Sequence, residues 1–156
     1  MNRSLFIRGG GAAVVGAALV GMVAQWEGYR EKAYLDLVGV PTIGYGETKG
    51  VRLGQTISEY AARKQLLYRI KDFEKEILAC IKTDMPFEVQ AAVVSLAYNV
   101  GSGAVCKGSV AREARKGNFR KACDNLLKYV YAGGKRVKGL VNRRNAEHKF
   151  CLKGVN

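Results

Sequence analysis

Eighteen consecutive residues, 9–26 (GGGAAVVGAALVGMVAQW), carry no charge, and Arg3, Arg8 and the α-amino group stand before them. A basic start followed by an apolar run is the pattern of an export signal or a signal anchor. About 20 apolar residues span a bilayer, so this run is at the short end. Ten of its 18 residues are Gly or Ala, which makes it weakly apolar as well. Cleavage after Ala24 would put the bulky Met22 at the −3 position, and cleavage after Ala18 would divide the run. The expectation is therefore an uncleaved, weak membrane anchor over residues 9–25, with the arginines holding the N-terminus in the cytoplasm. A buried core helix is the competing reading. Ala13, Ala17 and Gly21 recur every four positions and would let such a helix pack closely in either setting.

The rest of the chain has to supply a folded domain. At 156 residues it suits one domain or two small lobes, and 48% hydrophobic residues exclude global disorder. The net charge of +13 is uneven. Residues 1–26 carry +2, residues 27–79 carry nine bases and eight acids, and residues 80–156 carry fifteen bases and five acids. The excess lies in the C-terminal half and points to an anionic partner: nucleic acid, membrane or wall polymer. The bases are spread over predicted helices with no recognised nucleic-acid motif, which argues against nucleic acid.

All four cysteines, Cys80, Cys106, Cys123 and Cys151, lie in the basic half. Without a CxxC spacing, and with His148 the single histidine, they do not read as a metal site. An even number in an exported domain favours disulfides. Of the three connectivities, Cys80–Cys106 and Cys123–Cys151 are preferred, because the second pair falls on the apolar faces of two successive predicted helices.

Residues 33–50 read as short strands and turns, with β-branched and aromatic residues alternating with Gly39, Pro41, Gly44 and Gly46. Thr56-Ile57-Ser58-Glu59 has a capping-box pattern. It opens a long helix with Ile57, Ala61, Leu66, Leu67, Ile70, Phe73, Ile77 and Leu78 at helical period. Pro86 starts a second helix that stops near Gly101. Ser109 caps a short basic helix ending at Gly117, and Asn118 another with Phe119, Ala122, Cys123, Leu126, Leu127 and Val130 on one stripe. The loop AGGKRVKG leads to a last helix from Leu140 to Leu152. The expected class is α+β: a small N-terminal lobe with a β-hairpin (27–56), a linking helix (57–79) and a helical C-terminal lobe (80–156).

Two carboxylates stand out by environment. Glu27 follows Trp26 and an apolar helix, a setting that disfavours an ionised carboxylate. Asp36 sits in a polar, turn-rich segment where it stays ionised. Two carboxyls pushed apart in this way can serve as acid and base in glycoside hydrolysis.

The segment around them, E-G-x-R at Glu27–Arg30, A-Y-x-D at Ala33–Asp36 and G-x-x-T-I-G-x-G at Gly39–Gly46, resembles the catalytic signature of the phage lysozymes. Ser95–Gly101 (SLAYNVG) resembles the helix that backs their cleft. Ala132–Arg136 (AGGKR) and Gly139–Arg144 (GLVNRR) resemble their C-terminal region, so the likeness covers most of residues 25–153. It implies a lysozyme-like fold and a monomeric muramidase acting on the β-1,4 bonds of peptidoglycan, with no cofactor or metal. Glu27 matches the general acid, Asp36 the carboxylate that orients or activates water, and Thr42 the hydroxyl that helps hold that water. An inverting reaction implies carboxyls roughly 6.5–9.5 Å apart. Gly44 and Gly46 match positions where a sugar chain approaches or the chain turns. Tyr98, Asn99, Ser109 and Asn125 match positions facing the glycan or its peptide, and Arg143 or Arg144 matches a base that pairs with the catalytic glutamate. Glu47 stands where relatives commonly have His, which puts a His–Asp contact between lobes in doubt and adds a third acid near the cleft. The Asp36–Thr42 pair argues against a lytic transglycosylase, which needs no water-holding carboxylate; a non-enzymatic basic membrane or nucleic-acid binder is the other alternative.

Only Trp26 separates the uncharged run from Glu27. The chain thus also resembles the signal-anchor-release endolysins, which are tethered inactive in the inner membrane and become active in the periplasm when the anchor leaves the bilayer. On this reading residues 1–26 are the releasable segment and 27–156 the catalytic domain. Some relatives control release by a cysteine in the anchor. None lies in residues 1–26 here, so refolding of the N-terminal helix is the expected control.

Overall fold

In the computed structural model, which describes residues 4–6 and 10–156, the first elements are α1 (Gly11–Glu27), β1 (Arg30–Leu35), β2 (Pro41–Gly44) and α2 (Glu59–Cys80). There follow α3 (Phe87–Val100), α4 (Ser102–Lys107), α5 (Ser109–Arg115), α6 (Phe119–Leu126), β3 (Tyr131–Ala132), β4 (Lys135–Arg136) and α7 (Lys138–Leu152). Arg3, Arg8 and Gly9 of the expected anchor lie outside the described residues. The class is the expected α+β, a hairpin lobe joined by a long helix to a helical lobe.

The helical lobe is built around α3. Every residue from Val89 to Ala97 is buried, the signature of a helix apolar on all sides and surrounded by others. Helices α1, α2, α6 and α7 all pack on it. Pro86 precedes its first turn and Gly101, at φ 91°, ends it, a backbone region that favours glycine. Two disulfides tie the periphery: Cys80–Cys106 joins the end of α2 to α4, and Cys123–Cys151 joins α6 to α7.

The N-terminal run is a core helix in this structure. Helix α1 buries Ala12, Val15, Gly16, Leu19, Val23 and Ala24. Fully buried Leu19 and Val23 each contribute about 1.5–3 kcal/mol. Ala13, Ala17 and Gly21 are not the packing stripe; they face solvent. The small residue that matters is Gly16, where a Cβ would stand 2.8 Å from the Leu5 carbonyl oxygen and 3.1 Å from the Phe6 ring. Residues 4–6 lie across the helix there. Among the described residues no helix is long and apolar enough to cross a membrane.

Strands β1 and β2 form an antiparallel hairpin pairing Tyr34 with Thr42. Thr56 does not cap α2. It is drawn into a bridge with Lys32, and the Ile57 N–H bonds to the Glu31 carbonyl, so the backbone is still extended there. Ser58 is the cap instead, its hydroxyl accepting from Ala61 N–H at 3.2 Å. On α2 the buried stripe is Ala62, Leu66, Ile70, Glu74 and Ile77, one position away from the expected Ala61. It includes a carboxylate: Glu74 accepts from Ser4 Oγ at 2.6 Å, Leu5 N–H at 2.8 Å and Gln90 Nε2 at 2.8 Å.

Three further expectations change. An unexpected α4 fills the stretch before Ser109, and Gly108, not Ser109, caps α5; a side chain at Gly108 would run into the Tyr129 hydroxyl. Asn118 precedes α6 without a capping bond, its Nδ2 donating instead to Glu113. The AGGKRVKG segment is a hairpin, with Tyr131 opposite Arg136 and the turn made by Gly133 and Gly134 at φ 56° and 74°. Such positive values suit a tight two-residue turn. Helix α7 accordingly begins at Lys138.

Candidate active site

Glu27 is the last residue of α1. The helix stops because Gly28 takes φ 69°, its N–H still bonded to the Ala24 carbonyl at 3.1 Å. The carboxylate is thereby delivered to the junction of the lobes with 24% of its side chain exposed. Across the junction Arg143 of α7 donates from Nη1 to Glu27 Oε1 at 2.8 Å. Arg143 is itself buried and fixed on two further sides. Its Nε donates to Glu147 Oε1 at 3.2 Å, and its Nη2 donates to the Ser95 carbonyl at 3.3 Å. A guanidinium presents its donors in a planar fork, so three directed contacts fix its orientation. Of the two candidate arginines, Arg143 meets the glutamate. Arg144 does not, nor is it a surface residue: it is fully buried and pairs with Glu147.

A cavity of about 220 Å³ opens beside Glu27, lined also by Tyr45, Gly46 and Glu47 of the small lobe, by Gln65, Arg69 and Phe73 of α2, and by Tyr98 of α3. Tyr98 packs its ring on Phe73 at 5.2 Å and donates to the Tyr45 carbonyl at 3.3 Å. Burial, reinforced by the negative charge of Glu27, pushes its phenol up to about 12, so it remains a neutral donor at physiological pH. Glu47 is held by its own loop, accepting from Thr48 and Lys49 N–H at 2.9 Å each. A carboxylate of the small lobe and the Arg69 guanidinium of α2 therefore face the same cavity. Gln65 Oε1 is buried there without a protein partner.

Asp36 and Thr42 lie on the hairpin and do not line this cavity. Asp36 Oδ1 accepts from Val38 and Val40 N–H at 2.9 and 2.8 Å, which leaves Oδ2 for another partner. Thr42, buried at 4% exposure, donates its hydroxyl to the Val40 carbonyl at 2.9 Å, leaving its oxygen lone pairs for a water or ligand. Gly44 is not open to a sugar. It is buried, and a Cβ on it would stand 3.1 Å from Ala62 Cβ, so its role is the approach of hairpin to α2. Gly46 is exposed with open space beside it. Asn99 Oδ1 is buried and unpartnered near the end of α3. Ser109 and Asn125 are half-buried on α5 and α6, away from the lined cavity.

Glu147, Ser95, Gln65 and Arg69 were not singled out by the sequence as site residues. The one available signal was spacing: Glu147 follows Arg143 by four positions and Arg144 by three, so all three share a helix face.

The family model for phage lysozyme matches residues 24–147. The chain is 36% identical over 151 residues to the SAR-endolysin of bacteriophage PS119, covering 95% of this chain and 90% of the relative. Among solved structures, a variant of P22 lysozyme superposes with a TM-score of 0.80 at 30% identity, covering 87% of this chain and 96% of the other. The active form of the P1 phage endolysin gives 0.78 at 26% identity, over 92% and 94%. The secreted inactive form of that P1 protein gives 0.60 at 23%, over 91% and 96%.

Proposed function

The chain belongs to the phage lysozyme family, and from that premise we propose that it is an endolysin that hydrolyses the β-1,4 bond between MurNAc and GlcNAc in bacterial peptidoglycan. Glu27 protonates the leaving glycosidic oxygen. Asp36 activates water on the opposite face through the oxygen its turn leaves free, and the Thr42 oxygen helps hold that water. Tyr98 and Gly46 border the sugar path, Asn99 contributes its unpaired carbonyl, and Ser109 and Asn125 extend contacts toward the peptide. The observation that carries the reading is the placement of Glu27 at the lobe junction beside the cavity, clamped by Arg143 from the opposite lobe.

The reading includes control by the N-terminus. Residues 9–25 tether the new chain to the host inner membrane, inactive, and release into the periplasm activates it. Two observations support this. Glu27 ends the same helix whose face packs into the core, so that helix cannot lie in a bilayer and complete the site at once. The overall arrangement is also nearer to the active form of the P1 endolysin than to its inactive form, as expected of the released state. The excess positive charge of residues 80–156 then suits an anionic envelope.

The test is digestion of purified peptidoglycan with mass analysis of the products. Fragments that gain one water, and loss of activity in folded Glu27→Gln, are expected. Anhydro-sugar products would mean a transglycosylase, and full activity of Glu27→Gln would remove that residue from the chemistry.

A further inference from the structure

Behind the Glu27–Arg143 contact lies a buried charge cluster that the proposed reaction does not use. Glu147 is fully buried and accepts at Oε1 from Arg143 Nε at 3.2 Å, Arg144 Nη2 at 3.2 Å and Ser95 Oγ at 2.6 Å. Arg144 Nε also stands 2.8 Å from Oε2 as an ion pair. Two guanidiniums and one carboxylate leave one positive charge over, and Glu27 is the group that faces it. With Glu27 ionised the cluster is neutral; with Glu27 protonated it holds one buried cation.

We propose that Glu147 is a positioning residue for the acid step: it aims Arg143 at Glu27 and cancels the Arg144 charge, so that Glu27 meets the field of one guanidinium and not two. This inference rests on the reading of Glu27 as the general acid. A carboxylic acid facing two uncompensated buried cations loses its proton at lower pH than one facing a single cation. Burial pushes the Arg144 guanidinium down and the Glu147 carboxyl up, and the attraction between the two works against both shifts. The remaining charged or titratable groups facing the cavity beside Glu27 are Tyr98 from α3, Arg69 from α2, and Tyr45 and Glu47 from the loop after β2. Facing Glu147 from α3 is Ser95, which does not titrate, while the Asp124–His148 pair between α6 and α7 is partly exposed at 2.8 Å. None of these changes in the variants below.

The experiment is the pH–rate profile on soluble peptidoglycan fragments at constant ionic strength, with folding checked by near-UV circular dichroism. Glu147→Gln removes the cancelling charge, so the alkaline limb moves to lower pH by about one unit. Arg144→Met removes a cation, so the same limb moves to higher pH. The double variant returns near the starting profile, a rescue that a merely structural role would not give. Shifts of opposite sign support the proposal. Activity lost evenly at all pH with the limb in place, or shifts of the same sign, overturns it. If Glu147→Gln does not fold, the upward shift of Arg144→Met alone decides. Activity retained in Glu27→Gln would defeat the general-acid reading itself; an inactive Glu27→Gln with unmoved limbs would defeat only this inference.

Discussion

Arg143 Nη1 lies 2.8 Å from Glu27 Oε1, although the two residues are 116 positions apart. The contact is made by the last residue of α1 and the first turns of α7, with α3 supplying the Ser95 carbonyl that steadies the guanidinium. It exists only when the N-terminal helix is packed in the core. On the proposed release reading, leaving the membrane and assembling the site are thus one event.

Arg143→Lys is expected to retain the charge but lose the planar fork that reaches Glu27, Glu147 and Ser95 together. The ammonium cannot meet all three in those directions. Steady-state kinetics should show kcat reduced by about 10- to 100-fold, with KM little changed. An unchanged kcat would mean that charge alone suffices.

The membrane test has to spare the folded state. Leucine at Gly16 would collide with the Leu5 carbonyl, so failure to lyse would not distinguish trapping from misfolding. Ala17 and Gly21 face solvent, and nothing lies within 4 Å of a Cβ at Gly21. Ala17→Leu with Gly21→Leu should give a protein that digests peptidoglycan normally once extracted but stays in the membrane fraction and does not lyse cells. Normal lysis by this variant would defeat the release reading.

The choice between Gly16 and Ala17 shows what was legible in the sequence and what was not. The end of α1 at Glu27, the hairpin and the long helix could be read because local pattern decides them: an acid closing an apolar helix, glycines spaced through β-branched residues, a helical period; the role given to Glu27 rested on the resemblance. The inward face of α1 could not, because it is set by how α2, α3 and residues 4–6 pack against the helix. Glu147 was hidden for a related reason. Two arginines and a glutamate at helical spacing usually make a solvated ion pair, and only the packing of α7 on α3 puts them out of water. Thr56 lost its capping role to a bridge with Lys32, a pairing between distant segments.

The seat of residues 4–6 predicts its own stability effect. Ser4 Oγ and Leu5 N–H both donate to buried Glu74, and hydrogen bonds to a charged acceptor contribute about 1.5–3 kcal/mol. Ser4→Ala should lower stability by roughly that amount in denaturant unfolding, with the slope unchanged. Gly16→Val, which blocks the seat sterically, should cost at least as much and open α1 to hydrogen exchange. Equal protection of α1 in both variants and the parent would show that the seat contributes nothing.

Each disulfide closes a loop, with partners 26 and 28 positions apart. Loop-closure entropy for rings of this size corresponds to about 3–4 kcal/mol. Replacing Cys123 and Cys151 by serine frees α7 from α6 and should lower Tm by roughly 6–16 °C. Because α7 carries Arg143, activity near the new Tm should fall before global unfolding is complete. Calorimetry with a parallel activity assay checks both.

Tyr98 gives a signed prediction at alkaline pH. Its phenol is pushed up to about 12 by burial and by Glu27, from an ordinary value of about 10. A group raised on folding contributes stability that is complete below the unfolded value and is lost as pH rises through the folded one. Between about pH 10 and pH 12 the protein should therefore lose roughly 2 kcal/mol from this residue. Tyr98→Phe removes the ionisation along with the bond to the Tyr45 carbonyl. The variant should be somewhat less stable at pH 7 but show a shallower decline above pH 10. Ultraviolet titration of the folded parent should show one tyrosine ionising about two units late, and its absence in Tyr98→Phe identifies it. If parent and variant decline in parallel above pH 10, the phenol ionises freely and Tyr98 is not the buried neutral donor that the cavity wall requires.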